Sequence, residues 1–212
     1  SAHSLIPGPA LPSQRRQVER LSCIDSAVRL RRRSRVLLER VSPNLLYEMF
    51  GDPATNTKGW PMFTLGELLE GIDSGKSPRC LDRPKKDDEW AVLRLSALKN
   101  GLYNESDHKT IPPGEQPDTR SEVRAGDLLF SRKNTPELVG TPAYVWQTRG
   151  RILLPDLIFR LRPRPDVGLQ PLYLWALLRT PAVRQRLRVM ASGTAASMVN
   201  ISKERLRTLP VM

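Results

Sequence analysis

The spacing of hydrophobic residues in this 212-residue chain changes near residue 50. Through the stretch 13–50, apolar side chains recur every three or four residues, as in one helix of a coiled coil; they are Leu21, Ile24, Val28, Leu38, Leu45 and Met49. The same frame also places Arg31, Arg35 and Ser42 inward. Ser42 followed by Pro43 suits a helix restart, with Ser42 as cap. We predict a long helix over 13–50, preceded by a flexible, proline-rich lead-in over 1–12.

The predicted helix is longer than a globular unit of this size requires. About 36 helical residues span about 54 Å at 1.5 Å per residue. We therefore expect the helix to project and to pack against a helix that this chain does not supply, for example in a homodimer through residues 13–50. The alternative is a helix folded back on its own domain.

The remainder of the chain, after a turn-rich junction at 51–60, mixes strand and helix patterns. Short apolar runs predict strands in WAVLRLS, GDLLFSR, PAYVWQT, RILL and LIFRLRP. Helical patterns occur in FTLGELLEGI, PLYLWALLRT, PAVRQRLRVM and ISKERLRTL, with Thr180 and Ser202 as caps of the last two. Since these elements alternate without βαβ regularity, we predict an α+β fold with a mixed sheet over 61–212.

The charge of the chain points to a polyanionic partner. The formal net charge is +12, and residues 149–212 alone carry twelve basic and three acidic residues. Such an excess usually indicates nucleic-acid binding. The alternative is a basic surface without a nucleic-acid partner. Arg184, Arg186 and Arg188 are predicted to form the solvated face of a helix rather than a contact surface.

Composition excludes several other classes of protein. The longest apolar run, Leu172–Leu178, is far short of the roughly 20 residues of a membrane span. Two cysteines and two histidines give no four-ligand zinc spacing and suit a reducing cytosol. We therefore expect a cytoplasmic protein with no membrane contact, no metal and no cofactor.

The segment GIDSGKSP at 71–78 comes within one residue of a phosphate-binding P-loop. Glu70 occupies the position of the first required glycine, the segment follows a helical pattern rather than a strand, and Pro78 stops any following helix. A metal nuclease would have to use Asp118 and Glu122, which lie in one hydrophilic loop with Arg124 where a lysine is expected. Neither pattern supports catalysis, and we interpret the chain as a binding protein.

Four segments together resemble the specificity subunits of type I restriction-modification systems. They are GWPMFTLGELLEGIDSGKSP, GDLLFSRKNTPELVG, RILLPDLIFRLRP and SGTAASMVNISKERLRTLPV, in the order and spacing of one target recognition domain. The stretch LPSQRRQVERL to LLYEMFGDP resembles the helical spacer that precedes such a domain. The resemblance covers residues 11–212, and GTxxSMxNIS at 193–202 is its most specific part.

The resemblance implies a non-catalytic component that reads one half-site of double-stranded DNA. Its implied partners are DNA-methyltransferase (modification) subunits, docked on the helical spacer, and a restriction subunit. A full specificity subunit carries two recognition domains and two spacers, whereas this chain has one of each. Its oligomeric state and its relation to a longer polypeptide are therefore open.

Basic and polar residues in loops and at helix starts are the candidate DNA contacts. Asparagine suits adenine and arginine suits guanine, so Arg132 and Asn134 are expected at base edges, with Arg94 and Lys99 as further candidates. Phosphate contacts are expected from Lys76, Ser77, Arg79, Lys133, Arg149, Arg151, Lys203 and Arg205. The resemblance adds Thr194, Ser197, Asn200 and Ser202. The alternative for 132–134 is an ordinary polar turn.

Two other functions compete with DNA reading. One is an adaptor protein whose helix recruits a partner and whose domain binds DNA without sequence preference. The other is an enzyme, such as a nuclease carrying this module, for which we expect no cleavage activity.

Overall fold

The computed structural model describes residues 43–195 and 198–212, with side chains described for 47–192 and 198–212. The predicted lead-in, the helix up to residue 42, the Ser42 cap and the proposed homodimer contact lie outside these residues. The chain divides into the units 1–45 and 46–212. The description below concerns the second unit, together with the helix that begins at Pro43.

Five short α-helices lie in the described residues. They are α1 (Pro43–Phe50), α2 (Leu65–Leu68), α3 (Pro171–Leu178), α4 (Pro181–Met190) and α5 (Lys203–Arg207), with 3₁₀ turns at Leu95–Gly101, Thr119–Ser121 and Pro165–Val167. Proline opens α1, α3 and α4, where its missing N–H costs no hydrogen bond. None of these helices is long and apolar enough to cross a membrane.

Twelve strands are present in the same residues. They are β1 (Phe63–Thr64), β2 (Leu69–Ser74), β3 (Ala91–Leu93), β4 (His108–Thr110), β5 (Leu128–Ser131), β6 (Lys133–Asn134), β7 (Pro142–Tyr144), β8 (Ile152–Leu153), β9 (Ile158–Pro163), β10 (Ser192–Ala195), β11 (Met198–Asn200) and β12 (Pro210–Val211). All five strands expected from the sequence are confirmed, each shorter than its sequence pattern.

The strands form four sheets, and the central one is antiparallel with the order β2-β9-β5-β7. A second sheet, β4-β3-β8, contains a parallel pair, in which Ala91 lies opposite Ile152. A third sheet, β10-β11-β6, and a two-stranded pair, β1-β12, complete the set. The α+β class with mixed strand directions is thus confirmed for the described part of the chain.

Both faces of the central sheet are buried. Successive residues of a strand point to opposite faces, so Phe130 and Phe159 pack with α3, α4 and α5 on one face. Leu129 and Ile158 pack on the other face with β3, β8 and the 95–101 turn. Because both sides are covered, side chains reach the surface mainly where the strands end.

The helix predicted over FTLGELLEGI is wrong beyond Leu68. Residues Leu69–Ser74 instead form β2, which pairs with β9 and places Ile72 opposite Leu161. Leu69 and Ile72 are buried in the core by this pairing. The strand forms because the edge of β9 provides hydrogen-bond partners for the backbone of residues 69–74. This pairing joins segments about ninety residues apart in sequence, so local helix propensity does not reveal it.

Two predicted helix caps have different outcomes. The Ser202 hydroxyl accepts a hydrogen bond from the backbone N–H of Arg205 at 3.2 Å, which confirms the cap of α5. Thr180 occupies the N-cap position of α4, but its hydroxyl donates to the Leu177 carbonyl at 2.8 Å and makes no cap bond. Thr180 thus closes the turn between α3 and α4.

A buried ion-pair network ties β9 to its neighbours. The Arg160 guanidinium, with its side chain 12% exposed, lies 3.1 Å from the Asp73 carboxylate and 3.3 Å from that of Asp127. It also donates to the backbone carbonyls of Arg120 and Glu122 at 3.0 and 2.9 Å. Burial raises the pKa of Asp127, against the opposing effects of the Arg124 N–H and of Arg160.

Candidate nucleic-acid interface

A cleft of about 800 Å³ opens beyond the end of β3. Its walls come from the loop after β2, the turn after β3 and the end of β5 with the loop that follows β6. Five of the predicted contact residues line it, namely Ser77, Arg79, Arg94, Lys99 and Asn134. Most of the other lining side chains are apolar, including Leu93, Leu98, Leu138 and Leu157. The cleft therefore has an apolar floor and a basic rim.

The glycine of the GKSP segment serves packing rather than phosphate binding. The Gly75 N–H donates to the Pro155 carbonyl at 3.2 Å. A Cβ at this position would lie 1.7 Å from the Leu154 carbonyl oxygen. The Ser77 hydroxyl donates to the Asp156 carboxylate and accepts from the Asp156 N–H at 3.3 Å. Because these groups are occupied, the loop forms a wall of the cleft, and its basic residues Lys76 and Arg79 are exposed.

The basic residues at the cleft differ in how far they are already paired. Arg94 forms an ion pair with Asp82 and lies 3.4 Å from the Asp107 carboxylate. Arg79 and Lys99 are exposed and, among the described residues, have no carboxylate within 4 Å. Arg94 therefore holds the cleft wall together, while Arg79 and Lys99 are available to a ligand.

Lys109 also lines the cleft, although the sequence analysis did not select it. It is the middle residue of β4 and pairs with Val92 across the β3–β4 ladder. No local motif marks it, because its place at the cleft depends on the pairing of β3 with β4. It adds a third cation that, in the described part of the chain, has no ion pair.

Asn134 is held in a fixed orientation at the cleft. Its Nδ2 donates to the Ser131 hydroxyl at 3.2 Å, and its Oδ1 accepts from the Thr135 N–H at 2.9 Å. An amide side chain has two N–H donors and two acceptor lone pairs. One donor and one acceptor thus remain, which is the pair of groups that asparagine presents to the adenine edge.

The segments 132–134 and 200–203 lie side by side. Strand β6 pairs with β11, so Asn134 faces Val199 and Lys133 faces Asn200. The Arg132 Nε donates to Asn200 Oδ1 at 3.1 Å, and the Arg132 carbonyl accepts from the Ile201 N–H at 2.8 Å. Of the other residues from the GTxxSMxNIS stretch, the Thr194 side chain and Ser197 lie outside the described part.

Both segments also meet on one aromatic ring. The guanidinium carbon of Arg132 lies 5.1 Å from the centroid of Phe159, and the ammonium nitrogen of Lys203 lies 5.6 Å from it. Phe159 itself is fully buried. This aromatic platform was not found from the sequence, because LIFRLRP reads only as a buried strand.

Arg149 and Arg151 do not join the cleft. Both precede β8, which runs parallel to β3, so they lie at the start of these strands while the cleft lies beyond the end of β3. Arg149 pairs with Glu105 at 3.2 Å, and the Arg151 guanidinium donates to the Asp88 carbonyl. Their sequence-based assignment to phosphate contacts therefore requires a second contact region.

The residues at the start of α5 are also partly occupied. The Ser202 hydroxyl is used as the helix cap, and Glu204 adds a negative charge to the first turn. Arg205 is exposed and donates to the Met190 carbonyl at 3.1 Å. The Arg205 N–H at the start of α5 is thus already satisfied, and this start is a weaker phosphate site than the sequence indicates.

Two of the three arginines expected on the solvated face of α4 are bound to neighbouring segments. Arg184 donates to the Glu137 carbonyl at 3.0 Å, and burial lowers its pKa to about 10. Arg186 donates to the Ala54 carbonyl at 3.3 Å, whereas Arg188 is exposed. The expectation is wrong for Arg184, which fixes the loop after β6 that carries the cleft residue Leu138.

The acids considered for a nuclease have structural partners. Asp118 accepts two hydrogen bonds from the Arg120 guanidinium at 2.9 and 3.0 Å, and this pairing lowers the pKa of Asp118. Glu122 accepts from the Arg151 N–H at 2.8 Å. In the residues that the structure describes, no group of three His, Cys, Asp or Glu side chains is arranged to hold a metal ion.

Comparison with known proteins places this architecture among restriction systems. No family model matches the sequence. Over 154 residues the chain is 32% identical to the type I restriction enzyme EcoEI specificity subunit of Escherichia coli, a match that covers 72% of this chain and 26% of the relative. The chain belongs to the specificity subunits of type I restriction-modification systems. It matches about a quarter of the length of that curated relative.

Two solved structures show weaker similarity. The HsdS subunit from Thermoanaerobacter tengcongensis aligns with a TM-score of 0.49 at 22% identity, over 97% of this chain and 47% of that one. The S subunit of a type I restriction-modification system from M. genitalium aligns with a TM-score of 0.43 at 12% identity, over 72% and 34% of the two chains. The family assignment rests on the E. coli sequence.

Proposed function

We propose that residues 61–212 read one half-site of double-stranded DNA for a type I restriction-modification complex and catalyse no reaction themselves. The observation that carries this proposal is the meeting of segments 132–134 and 200–203 beside a basic-rimmed cleft. Both segments come from the motifs that carry the resemblance to the family, and they are separated by about seventy residues in sequence. A shared surface is what a single DNA contact requires.

The division of labour follows from the chemistry of the cleft. Arg79, Lys99 and Lys109 supply unpaired cations for phosphates, which position a protein on the duplex without reading its sequence. Asn134 supplies an oriented donor and acceptor for a base edge. The apolar floor excludes water from these contacts and thereby strengthens them.

The remaining partners are part of the same proposal. DNA-methyltransferase subunits dock on the helical spacer at 13–50, a restriction subunit joins the complex, and the spacer pairs with a second helix, in a homodimer or in a longer polypeptide. The cytoplasm is the expected location.

Selection from a random duplex library tests the reading function directly. We expect enrichment of one short half-site and a steep loss of affinity with salt, since each neutralised phosphate contributes about 0.9 to the slope of log K against log salt. The selection is run with the full chain, with and without a modification subunit. Equal affinity for selected and random duplexes would contradict the proposal and favour the adaptor alternative.

Asn134→Ala should weaken binding to the selected duplex by about 5- to 150-fold, the equivalent of about 1–3 kcal/mol for a bidentate base contact. Binding to random duplex should stay unchanged, because no charge is removed. Titration of both duplexes at one salt concentration measures the two affinities.

Asn104→Ala is the matched control for this substitution. Asn104 is exposed, and its side chain accepts only from the nearby Ser106 N–H, at 3.2 Å. It does not line the cleft. The base-edge role of Asn134 is refuted if the two variants bind the selected duplex equally well.

A further inference from the structure

We propose that Arg132 and Lys203 act together as a clamp on the phosphates of one DNA strand, and that Arg132 does not read a base. This inference rests on the proposed function, because it assigns a role within the same interface. It changes the sequence-based expectation, which placed Arg132 at a guanine edge.

The first argument is the geometry of the two side chains. Arg132 and Lys203 each have their charged group within 6 Å of the centre of the Phe159 ring. The ring belongs to the core and has no exposed surface. A cation held over an aromatic face keeps a defined position, because the electron-rich face attracts it. Phe159 thus holds two cations, seventy-one positions apart in sequence, against one side chain.

The second argument is the orientation of the guanidinium. Asn200 Oδ1 accepts from the Arg132 Nε at 3.1 Å, so this edge of the fork is already used. The two terminal nitrogens have no hydrogen-bond partner among the described residues and remain for a ligand. Asn200 is thereby a positioning residue for Arg132, and β11, which carries Asn200, also pairs with Lys133 and Asn134 of β6.

The third argument is charge. Arg160, Arg162 and Arg164, in and just after β9, all have carboxylate partners. Within the described part of the chain, neither Arg132 nor Lys203 has a carboxylate within 4 Å. Glu204, the acidic neighbour of Lys203, is exposed; its lowered pKa is due first to the backbone of the first turn of α5 and to Ser202, and only to a smaller extent to attraction by Lys203 and Arg207. Two neighbouring cations of this kind favour an anion between them.

This charge argument separates a phosphate from a base. A guanine edge is neutral and would leave the repulsion between the two cations in place. A phosphodiester carries one negative charge and accepts hydrogen bonds from both side chains. The clamp lies next to Asn134 through β6, so it would fix the strand whose base edge reaches Asn134.

The salt dependence of DNA binding tests the clamp. Arg132→Gln, Lys203→Gln and the double variant are titrated with selected and random duplexes at several salt concentrations. We expect each single substitution to lower the affinity for the selected and the random duplex by the same factor. The double variant should lower the magnitude of the slope of log K against log salt by about 0.9 to 1.8, for the loss of one or two phosphates.

Three further variants act as controls. Arg164→Gln removes an exposed arginine that is paired with Asp166 at 2.6 Å, and it should leave the slope unchanged. Arg132→Lys keeps the charge and should retain most of the slope even if Arg132→Gln folds poorly. Asn200→Ala removes the positioning contact with Arg132. It should lower the affinity for both duplexes equally, and by a smaller factor than Arg132→Gln does.

A loss confined to the selected duplex, a change in the selected base, or an unchanged slope in the double variant would overturn the clamp. The proposed function is judged separately. If the unaltered chain shows no preference for any sequence, DNA reading fails, and the clamp is still decided by the slopes on random duplex.

Discussion

Replacing Arg160 with methionine should lower the free energy of unfolding by about 3–5 kcal/mol, the cost of breaking a buried ion pair from one side. The substitution removes the ion pair of Asp127 and leaves Asp73 with Arg162 alone. It also leaves two backbone carbonyls, of Arg120 and Glu122, without the guanidinium donor. Methionine keeps much of the side-chain volume, so the loss reports charge and hydrogen bonding rather than a cavity. Urea unfolding at neutral pH measures it.

The loss in free energy of unfolding caused by Arg160→Met should depend on pH. Burial already raises the pKa of Asp127, and removing Arg160 takes away a charge and a hydrogen bond that lower it. The folded variant then binds a proton more tightly than the unfolded chain, whose aspartates titrate near pH 3.9. Its stability therefore falls as the pH rises from about 4 through the raised pKa, and the deficit is smallest in acid.

Arg162→Met is the matched control on the same strand. Arg162 pairs with Glu70 at 2.7 Å and lies 3.0 Å from the Asp73 carboxylate, but its side chain is 42% exposed and it does not contact Asp127. We expect a loss of at most about 1 kcal/mol, as for other solvent-exposed ion pairs. Equal losses in the two variants, or a pH-independent deficit for Arg160→Met, would show that the buried network does not stabilise the sheet as argued.

Gly75→Ala should cost about 3 kcal/mol or more and should also abolish sequence-specific DNA binding. The added Cβ would lie 1.7 Å from the Leu154 carbonyl oxygen and 2.6 Å from its carbon. Both are backbone atoms, so no side-chain rotation relieves the overlap, and the loop must move away from Leu154. This movement breaks the Gly75–Pro155 hydrogen bond and shifts Arg79 at the cleft. Thermal unfolding and duplex titration measure the two effects.

Gly114→Ala separates this overlap from the general cost of replacing a glycine. Gly114 has a φ of +93°, and no atom lies within 4 Å of the place where its Cβ would be. We expect about 1–2 kcal/mol from the left-handed backbone conformation alone and normal DNA binding. If Gly75→Ala proves no more harmful than Gly114→Ala, the close approach of the two chain segments is not required.

The sequence predicted best those elements whose own local pattern of apolar residues determines which side chains are buried. The run containing Leu128–Ser131 is apolar, in the run Ile158–Pro163 apolar residues alternate with Arg160 and Arg162, and both became central strands. The helices opened by Pro171 and Pro181 follow equally local rules. These elements bury their apolar residues in any arrangement that covers both sheet faces.

Elements that depend on distant partners were missed. Strand β2 became a strand because β9 pairs with it, and β6 exists only through its contact with β11. Neither carries an alternating apolar pattern of useful length. Short strands of two or three residues are stabilised by the chain segment that they meet, and the sequence does not specify that segment locally.

The candidate site shows the same division. Arg79, Lys99 and Asn134, which were selected for their positions in loops and at strand ends, line one cleft. It did not show that Arg94 is paired with Asp82 and Asp107, or that Lys109 lies at the same cleft. Net charge identifies the kind of partner, whereas the pairing of each cation decides which of them are available to it.

The pairing of β1 with β12 has a consequence for how such units vary. Phe63 lies opposite Val211, so the first and last strands of the globular unit are adjacent. A unit with this arrangement can be exchanged for another of different loop sequence while the flanking segments keep their separation. Under the proposed reading function, new preferences for DNA would then arise by recombination of whole modules, without redesign of the segments that flank them.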